Sequence, residues 1–163
     1  MIQKKICMLG ASAVGKTSLV RRFVHSIFSE RYHTTVGVKI DKKVMSVDGT
    51  DMTLMLWDLH GEDEFQSVRV SYLRGSSGHL VVADGTRPDT LARAYSLQTT
   101  IDKGVPFVLI LNKADLEDEW AIEDSELEEA KRRNWTILRT SAKTGDGVRE
   151  AFLSLARRML QGG

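Results

Sequence analysis

The chain has 163 residues, of which 42% are hydrophobic and 28% are charged, and its formal net charge is +1. One domain usually takes about 100–200 residues, so these values predict a single folded domain over residues 1–163 and exclude a disordered chain. Because 23 basic residues balance 22 acidic ones, nucleic acid is not expected as a partner. The one cysteine, Cys7, cannot form an intrachain disulfide, which fits a cytoplasmic setting.

The N-terminal part of the chain predicts a strand, a helix and a hairpin. The first strand runs from Ile2 to Leu9, and a helix with one apolar face runs from Lys16 to about Ser26. Two further strands, Val38 to Val47 and Asp51 to Trp57, are joined through Asp48-Gly49, a dipeptide typical of tight hairpins. This hairpin adds one antiparallel strand to the edge of the sheet.

The rest of the chain alternates strands with helices, which is typical of α/β proteins. Strands are predicted at His79–Ala83, Phe107–Leu111 and Thr136–Arg139. Helices are predicted at Asp89–Lys103, Glu123–Arg133 and Gly147–Leu160. The predicted fold is therefore a six-stranded, mostly parallel sheet with one antiparallel strand, flanked by about five helices.

The segment Gly10-Ala11-Ser12-Ala13-Val14-Gly15-Lys16-Thr17 fits the pattern G-x-x-x-x-G-K-[ST] between the first strand and the first helix. In such a loop the backbone N–H groups surround a phosphate, and Lys16 would reach the terminal phosphates. Thr17 would offer its hydroxyl to Mg²⁺, which prefers oxygen ligands. The alternative is a glycine turn that fits the pattern by chance. The nucleotide phosphates are expected to bind at Ser12, Ala13, Val14, Gly15, Lys16, Thr17 and Ser18.

A second motif, Asn112-Lys113-Ala114-Asp115, follows the strand Phe107–Leu111, at the edge where open α/β sheets bind ligands. The Asp115 carboxylate can accept hydrogen bonds from the ring N–H and the exocyclic amine of guanine. Adenine presents no such pair, so a P-loop kinase or ATPase is disfavoured. The later segment Ser141-Ala142-Lys143 is weak evidence alone. Beside the other two motifs it predicts a lid over the base, with the Ala142 N–H facing the guanine oxygen.

Taken in order, these motifs resemble the Ras superfamily of small GTPases, and its Rab branch most. The resemblance is extended by Thr35-Val36-Gly37-Val38, by Trp57-Asp58 with Gly61, by Tyr72-Leu73-Arg74-Gly75, and by Thr140 to Thr144. It implies a P-loop GTPase fold of the Ras type. It also implies a molecular switch that cycles between GTP and GDP and uses Mg²⁺.

The resemblance also implies roles for single residues. Thr35 matches the threonine whose hydroxyl meets Mg²⁺ and whose N–H meets the γ-phosphate. Phe28 matches an aromatic residue that packs edge-on against guanine, and Gly61 a glycine whose N–H contacts the γ-phosphate. Asp58 matches the aspartate that holds an Mg²⁺-bound water, so the expected metal site comprises Thr17, Thr35 and Asp58. The alternatives are a loop threonine, a core phenylalanine and an aspartate in a turn.

The sequence departs from the family after Asp58. The usual run is Thr-Ala-Gly-Gln-Glu, whereas this chain has Leu59-His60-Gly61-Glu62-Asp63. Glu62 therefore stands where a glutamine positions the attacking water, and we expect slow hydrolysis. The expected catalytic groups are Lys16, Gly61 and Glu62. The alternative is a GTP-binding interaction module with negligible hydrolysis, which acts by nucleotide occupancy.

The resemblance further implies protein partners. Effectors would bind through switch regions at about 28–38 and 58–75, and an exchange factor and a GTPase-activating protein would regulate the cycle. The sequence shows no secretion signal, and no prenylation cysteine at its C-terminus. We therefore expect no direct membrane anchor in this chain.

Overall fold

The computed structural model describes residues 2–25, 38–59, 70–101 and 104–161. Its strands are β1 (Ile2–Gly10), β2 (Val38–Val47), β3 (Thr50–Leu59), β4 (Gly78–Asp84), β5 (Phe107–Asn112) and β6 (Ile137–Arg139). They form one sheet in the order β2-β3-β1-β4-β5-β6. Among the described strands β2 alone is antiparallel to its neighbour, and the other pairs are parallel.

The helices of the described residues are α1 (Lys16–His25), α2 (Val70–Leu73), α3 (Pro88–Thr100), α4 (Glu128–Arg132) and α5 (Val148–Gln161). Short 3₁₀ helices span Glu117–Glu119 and Asp124–Leu127. The predicted fold class is confirmed, and the helix count is close to the predicted one. In the same part of the chain, no helix has both the length and the apolar character needed to cross a bilayer.

Two predicted helices differ in extent from the observed ones. Helix α3 ends at Thr100 because Ile101 has extended backbone angles, whereas the sequence predicted an end at Lys103, which lies outside the described residues. The predicted helix Glu123–Arg133 is α-helical only in α4, and the turn before it is a 3₁₀ helix. Ile122 lies before this turn and Leu127 is its last residue, and both side chains are buried.

The sheet is covered on both faces, because successive side chains of a strand point to opposite sides. Ile6 and Met8 of β1 join the core beneath α1 and α5, whereas Cys7 and Leu9 join the core beneath α3. Cys7 is fully buried in that core. Along α5 an apolar stripe with helical spacing is buried throughout and comprises Val148, Phe152, Leu155 and Met159. These contacts hold the strand ends in fixed relative positions.

The strand ends place three polar residues at one edge of the sheet. Asp58 lies opposite Met8 in the β1–β3 pair, and Asp84 lies opposite Asn112 in the β4–β5 pair. After β1 the chain forms β2 and β3 on one side of that strand, and then β4, β5 and β6 on its other side. In open α/β sheets a ligand binds at the carboxyl end of the strand where this reversal occurs. The fold therefore places the expected ligand site at the loop that follows β1.

Candidate nucleotide-binding site

The loop after β1 approaches its neighbouring strands so closely that two of its positions require glycine. Gly10 has φ +147°, and a Cβ there would lie 2.3 Å from the carbonyl oxygen of Val82. Gly15 has φ +106°, and a Cβ there would lie 2.2 Å from the side-chain nitrogen of Asn112. Ala13 has φ +62°, a left-handed conformation that costs a residue with a Cβ about 1–2 kcal/mol. The loop therefore holds one non-glycine residue, Ala13, in an unfavourable backbone conformation.

Lys16 is the first residue of α1 and places its charge inside this loop. Its side chain is buried, with 6% exposed. The ammonium donates hydrogen bonds to the carbonyl oxygens of Gly10 at 2.8 Å and Ala11 at 3.0 Å. A positive charge and the N–H groups at the start of a helix together form a site for phosphate.

Thr17 and Asp58 provide oxygen atoms next to Lys16. The Thr17 hydroxyl donates a hydrogen bond to Asp58 Oδ2 at 2.5 Å, and Asp58 is 1% exposed. A hydroxyl and a carboxylate are oxygen ligands of the kind that Mg²⁺ prefers. Among the described residues, no three His, Cys, Asp or Glu side chains form a metal cluster. Mg²⁺ is commonly held by one or two protein groups together with substrate phosphates.

The Asn112 side chain links the phosphate loop to the loop after β6. Its amide nitrogen donates to the carbonyl of Val14 at 3.0 Å, and its oxygen accepts from the Thr140 hydroxyl at 2.9 Å. The same oxygen lies 3.4 Å from the Ala142 backbone nitrogen. Two motifs that lie far apart in the sequence are therefore joined by one buried amide.

Asp115 and Ser141 lie side by side on the outer part of this site. The Ser141 hydroxyl donates to Asp115 Oδ1 at 2.7 Å. Ser141 is 1% exposed and also accepts a hydrogen bond from the backbone of Thr144, so its hydroxyl has a fixed orientation. The carboxylate predicted to read guanine is thus held by the segment predicted to cover the base. Lys143 of that segment is exposed, and Ser18 of α1 is half-buried.

Comparison with known proteins agrees with this geometry. The sequence model of the Ras family matches residues 5–161. The chain belongs to the Ras family. It is also 33% identical over 160 residues to the GTP-binding protein ypt1 of Schizosaccharomyces pombe, with 95% of this chain and 79% of that protein covered.

This Ras-family chain is a Rab-like small GTPase. It binds GTP and GDP together with Mg²⁺, hydrolyses GTP and works as a nucleotide-dependent switch with regulators and effectors. A module that acts by occupancy without hydrolysis is not favoured.

Several predicted site residues of this GTPase lie outside the described residues. They are Phe28, Thr35, Gly61 and Glu62. Their roles at the base, the metal and the attacking water stay predictions.

The structure also shows functional neighbours that the sequence analysis missed. Arg22 of α1 donates to the carbonyl oxygens of Ala142 at 2.8 Å and of Lys143, and so holds the lid segment from the opposite side. Nothing in the sequence indicates this contact, because 120 residues separate Arg22 from Ala142. Asp84 and Arg87 were missed as well. Asp84 ends an apolar strand, as Asn112 does, and this position at the carboxyl end of a parallel strand could have indicated it.

Proposed function

We propose that this GTPase is a guanine-specific switch whose nucleotide lies along the edge from the phosphate loop to Asp115, and whose own hydrolysis is slow. The observation that carries the proposal is the position of Asn112. Its single amide is bonded to Val14 in the phosphate loop and to Thr140 beside the lid segment. A ligand with a phosphate at one end and a guanine at the other fits the span between them.

The phosphate end is assigned to the loop and the start of α1. The backbone N–H groups of residues 12–18 bind phosphate oxygens there, and Lys16 neutralises phosphate charge. The burial of the Lys16 side chain supports this role, because a charge held away from water interacts more strongly with an anion beside it.

The guanine end is assigned to Asp115 and the lid segment. Asp115 accepts hydrogen bonds from the base, and Ser141 keeps the carboxylate in place. The Ala142 N–H is 3.4 Å from Asn112 Oδ1, a long and therefore weak contact, so it can turn to the guanine oxygen at small cost. Phe28 is assigned the aromatic contact with the base. The complete set assigned to this end is Phe28, Asn112, Lys113, Asp115, Ser141, Ala142 and Lys143.

The metal site is assigned to Thr17, Asp58 and Thr35. When bound, Mg²⁺ would neutralise negative charge on the phosphate oxygens. Thr17 and Asp58 are held together by their hydrogen bond, which positions both oxygens in advance. Thr35 would add a third oxygen when the γ-phosphate is present.

Hydrolysis is assigned to Glu62, with Lys16 and Gly61 beside the γ-phosphate. A carboxylate can accept a hydrogen bond from the attacking water and so orient it. While ionised it cannot donate one, and its charge lies close to an anionic phosphate. His60, next but one to Glu62, can supply compensating positive charge when protonated. We therefore expect a slow reaction that a GTPase-activating protein accelerates.

Protein partners are assigned to the two switch regions, 28–38 and 58–75. Effectors would bind these regions in the GTP state, and an exchange factor would open the site for GDP release. Next to the second region, Trp57 packs against Tyr72 with ring centroids 6.5 Å apart. A shift of this region on loss of the γ-phosphate would therefore change the packing of the two aromatic rings.

The test combines nucleotide competition with single-turnover hydrolysis. A fluorescent GDP analogue is loaded onto the protein and displaced with GTP, GDP or ATP, and cleavage of [γ-³²P]GTP is followed with and without Mg²⁺. We expect displacement by GTP and GDP, none by ATP, and slow Mg²⁺-dependent cleavage. Displacement by ATP would contradict the role of Asp115. Cleavage of GTP no faster than in buffer without protein would contradict the role of Glu62.

A further inference from the structure

Asp84, the last residue of β4, belongs to none of the recognised motifs and yet both of its carboxylate oxygens have bonding partners. It is 1% exposed. One carboxylate oxygen accepts hydrogen bonds from the backbone N–H and the hydroxyl of Thr86, at 2.8 and 2.7 Å. The other forms ion pairs with Arg87 at 3.0 Å and with Lys113 at 2.9 Å. A buried carboxylate so fully bonded has a fixed position.

Both cations extend from Asp84 to the phosphate loop. A second guanidinium N–H of Arg87 donates to the carbonyl oxygen of Ser12 at 2.9 Å. The Lys113 ammonium donates to the carbonyl oxygen of Ala13 at 3.1 Å. One buried carboxylate is thereby linked, through two charged side chains, to two consecutive carbonyl groups of the loop.

These two carbonyls belong to the peptide groups that supply N–H donors for phosphate. The Ser12 carbonyl shares a peptide group with the Ala13 N–H, and the Ala13 carbonyl shares one with the Val14 N–H. A cation on each carbonyl holds it away from the phosphate and polarises the peptide group, which makes the attached N–H a stronger donor. The negative charge of Asp84 offsets the repulsion between the positive charges of Arg87 and Lys113.

We propose that Asp84 and Arg87, together with Lys113, form a positioning cluster that orients the peptide groups of the phosphate loop and so slows nucleotide release. The inference rests on the proposed binding of phosphate by this loop. Asp84 and Arg87 act through the loop carbonyls and do not touch the nucleotide. Ala13, held with φ +62°, lies between the two peptide groups whose carbonyls these cations contact.

The first measurement is the release rate of a fluorescent GDP analogue from full-length variants at fixed Mg²⁺. Asp84→Asn keeps the shape of the side chain and removes its charge, and we expect release to accelerate about tenfold. Arg87→Ala removes the Ser12 contact from a half-exposed side chain, so the variant should fold, and release should accelerate several-fold. Because both changes act on the same peptide groups, their effects should combine to less than the product in the double variant.

The second measurement separates positioning from mere stability. The ³¹P NMR shift of the GDP β-phosphate reports the polarity of the donors around it, and we expect it to move in Asp84→Asn and in Arg87→Ala. The control is Asp48→Asn, which breaks the exposed pair of Asp48, in the turn between β2 and β3, with Arg157 of α5 at 3.1 Å. Release rate and ³¹P shift should both keep their wild-type values in this control.

Two results would overturn the inference. One is wild-type release and an unmoved ³¹P shift in both cluster variants. The other is faster release in all three variants in proportion to their loss of thermal stability, which would reduce Asp84 to a structural residue. Failure of the wild-type protein to bind GDP at all would instead overturn the proposed function, so the two failures are distinguishable.

Discussion

The hydroxyl of Thr17 donates a hydrogen bond of 2.5 Å to the buried carboxylate of Asp58. The two residues are 41 positions apart in the chain. They meet because α1 starts just beyond the end of β1, and because β3 pairs with β1 so that Asp58 lies opposite Met8. Sheet pairing therefore assembles the two described oxygen donors of the proposed metal site.

Removing the Thr17 hydroxyl should make GDP release less sensitive to Mg²⁺. In the wild-type protein, chelation of Mg²⁺ should accelerate release strongly, because the hydroxyl and a phosphate oxygen lose their shared cation. Thr17→Val should release GDP about tenfold faster at saturating Mg²⁺ and respond little to chelator. Thr17→Ser keeps a hydroxyl and serves as the control. Fluorescent GDP release over a Mg²⁺ titration measures both, and equal chelator responses in Val and Ser variants would contradict the assignment.

Changing Asp115→Asn should shift base preference from guanine to xanthine. An amide can donate to a ring carbonyl where the carboxylate only accepts, and the lost charged hydrogen bonds should weaken GTP binding about tenfold or more. Titration calorimetry with GTP and XTP measures the change. Asp118→Asn, at an exposed carboxylate three residues away, should bind GTP as the wild type does. Unchanged GTP affinity in Asp115→Asn would rule out its role at the base.

Glu62 should still position the attacking water. Glu62→Ala should slow single-turnover hydrolysis about tenfold, equivalent to about 1.4 kcal/mol of barrier, with little change in GTP affinity. Glu62→Gln can both accept and donate, so it should hydrolyse faster than the wild type. If Glu62→Ala and wild type react equally fast while His60→Ala is slow, the role belongs to the histidine.

Asp84 should make stability depend on pH in the acid range. Burial raises the pKa of Asp84, but hydrogen bonds from Thr86, Lys113 and Arg87 outweigh it and hold the pKa below the usual value of an aspartate. A group with a lowered folded-state pKa stabilises the fold above its unfolded-state pKa, about 3.9, and loses that contribution as the pH falls through the folded-state value.

The free energy of unfolding should therefore fall below about pH 4 more steeply in the wild type than in Asp84→Asn. Urea unfolding at several pH values, with GDP and Mg²⁺ held saturating, measures the slope. Asp118→Asn should keep the wild-type slope. Parallel curves for wild type and Asp84→Asn would contradict the prediction.

Local signals in the sequence were sufficient for most of the fold. Asp48-Gly49 specifies its hairpin because both residues adopt the left-handed conformation that a tight turn needs, with φ +49° and +83°. The stripe on α5 specifies its buried face through spacing alone. The phosphate loop, Gly10 to Thr17, could be recognised because all of its residues are contiguous. Because the residues of this motif are contiguous, the sequence also predicted that the site binds phosphate.

Tertiary structure decided the features that depend on strand order and on burial. The segment predicted as a helix from Glu123 begins as a 3₁₀ turn whose last residue, Leu127, is buried against residues of other elements, and local propensity does not include that packing. The contacts of Arg22 with the lid segment, and of Asp84 and Arg87 with the phosphate loop, join residues from separate elements. Only the pairing of β4 with β1 and β5 brings them together, because a polar side chain acquires its partners from the sheet order and not from its sequence neighbours.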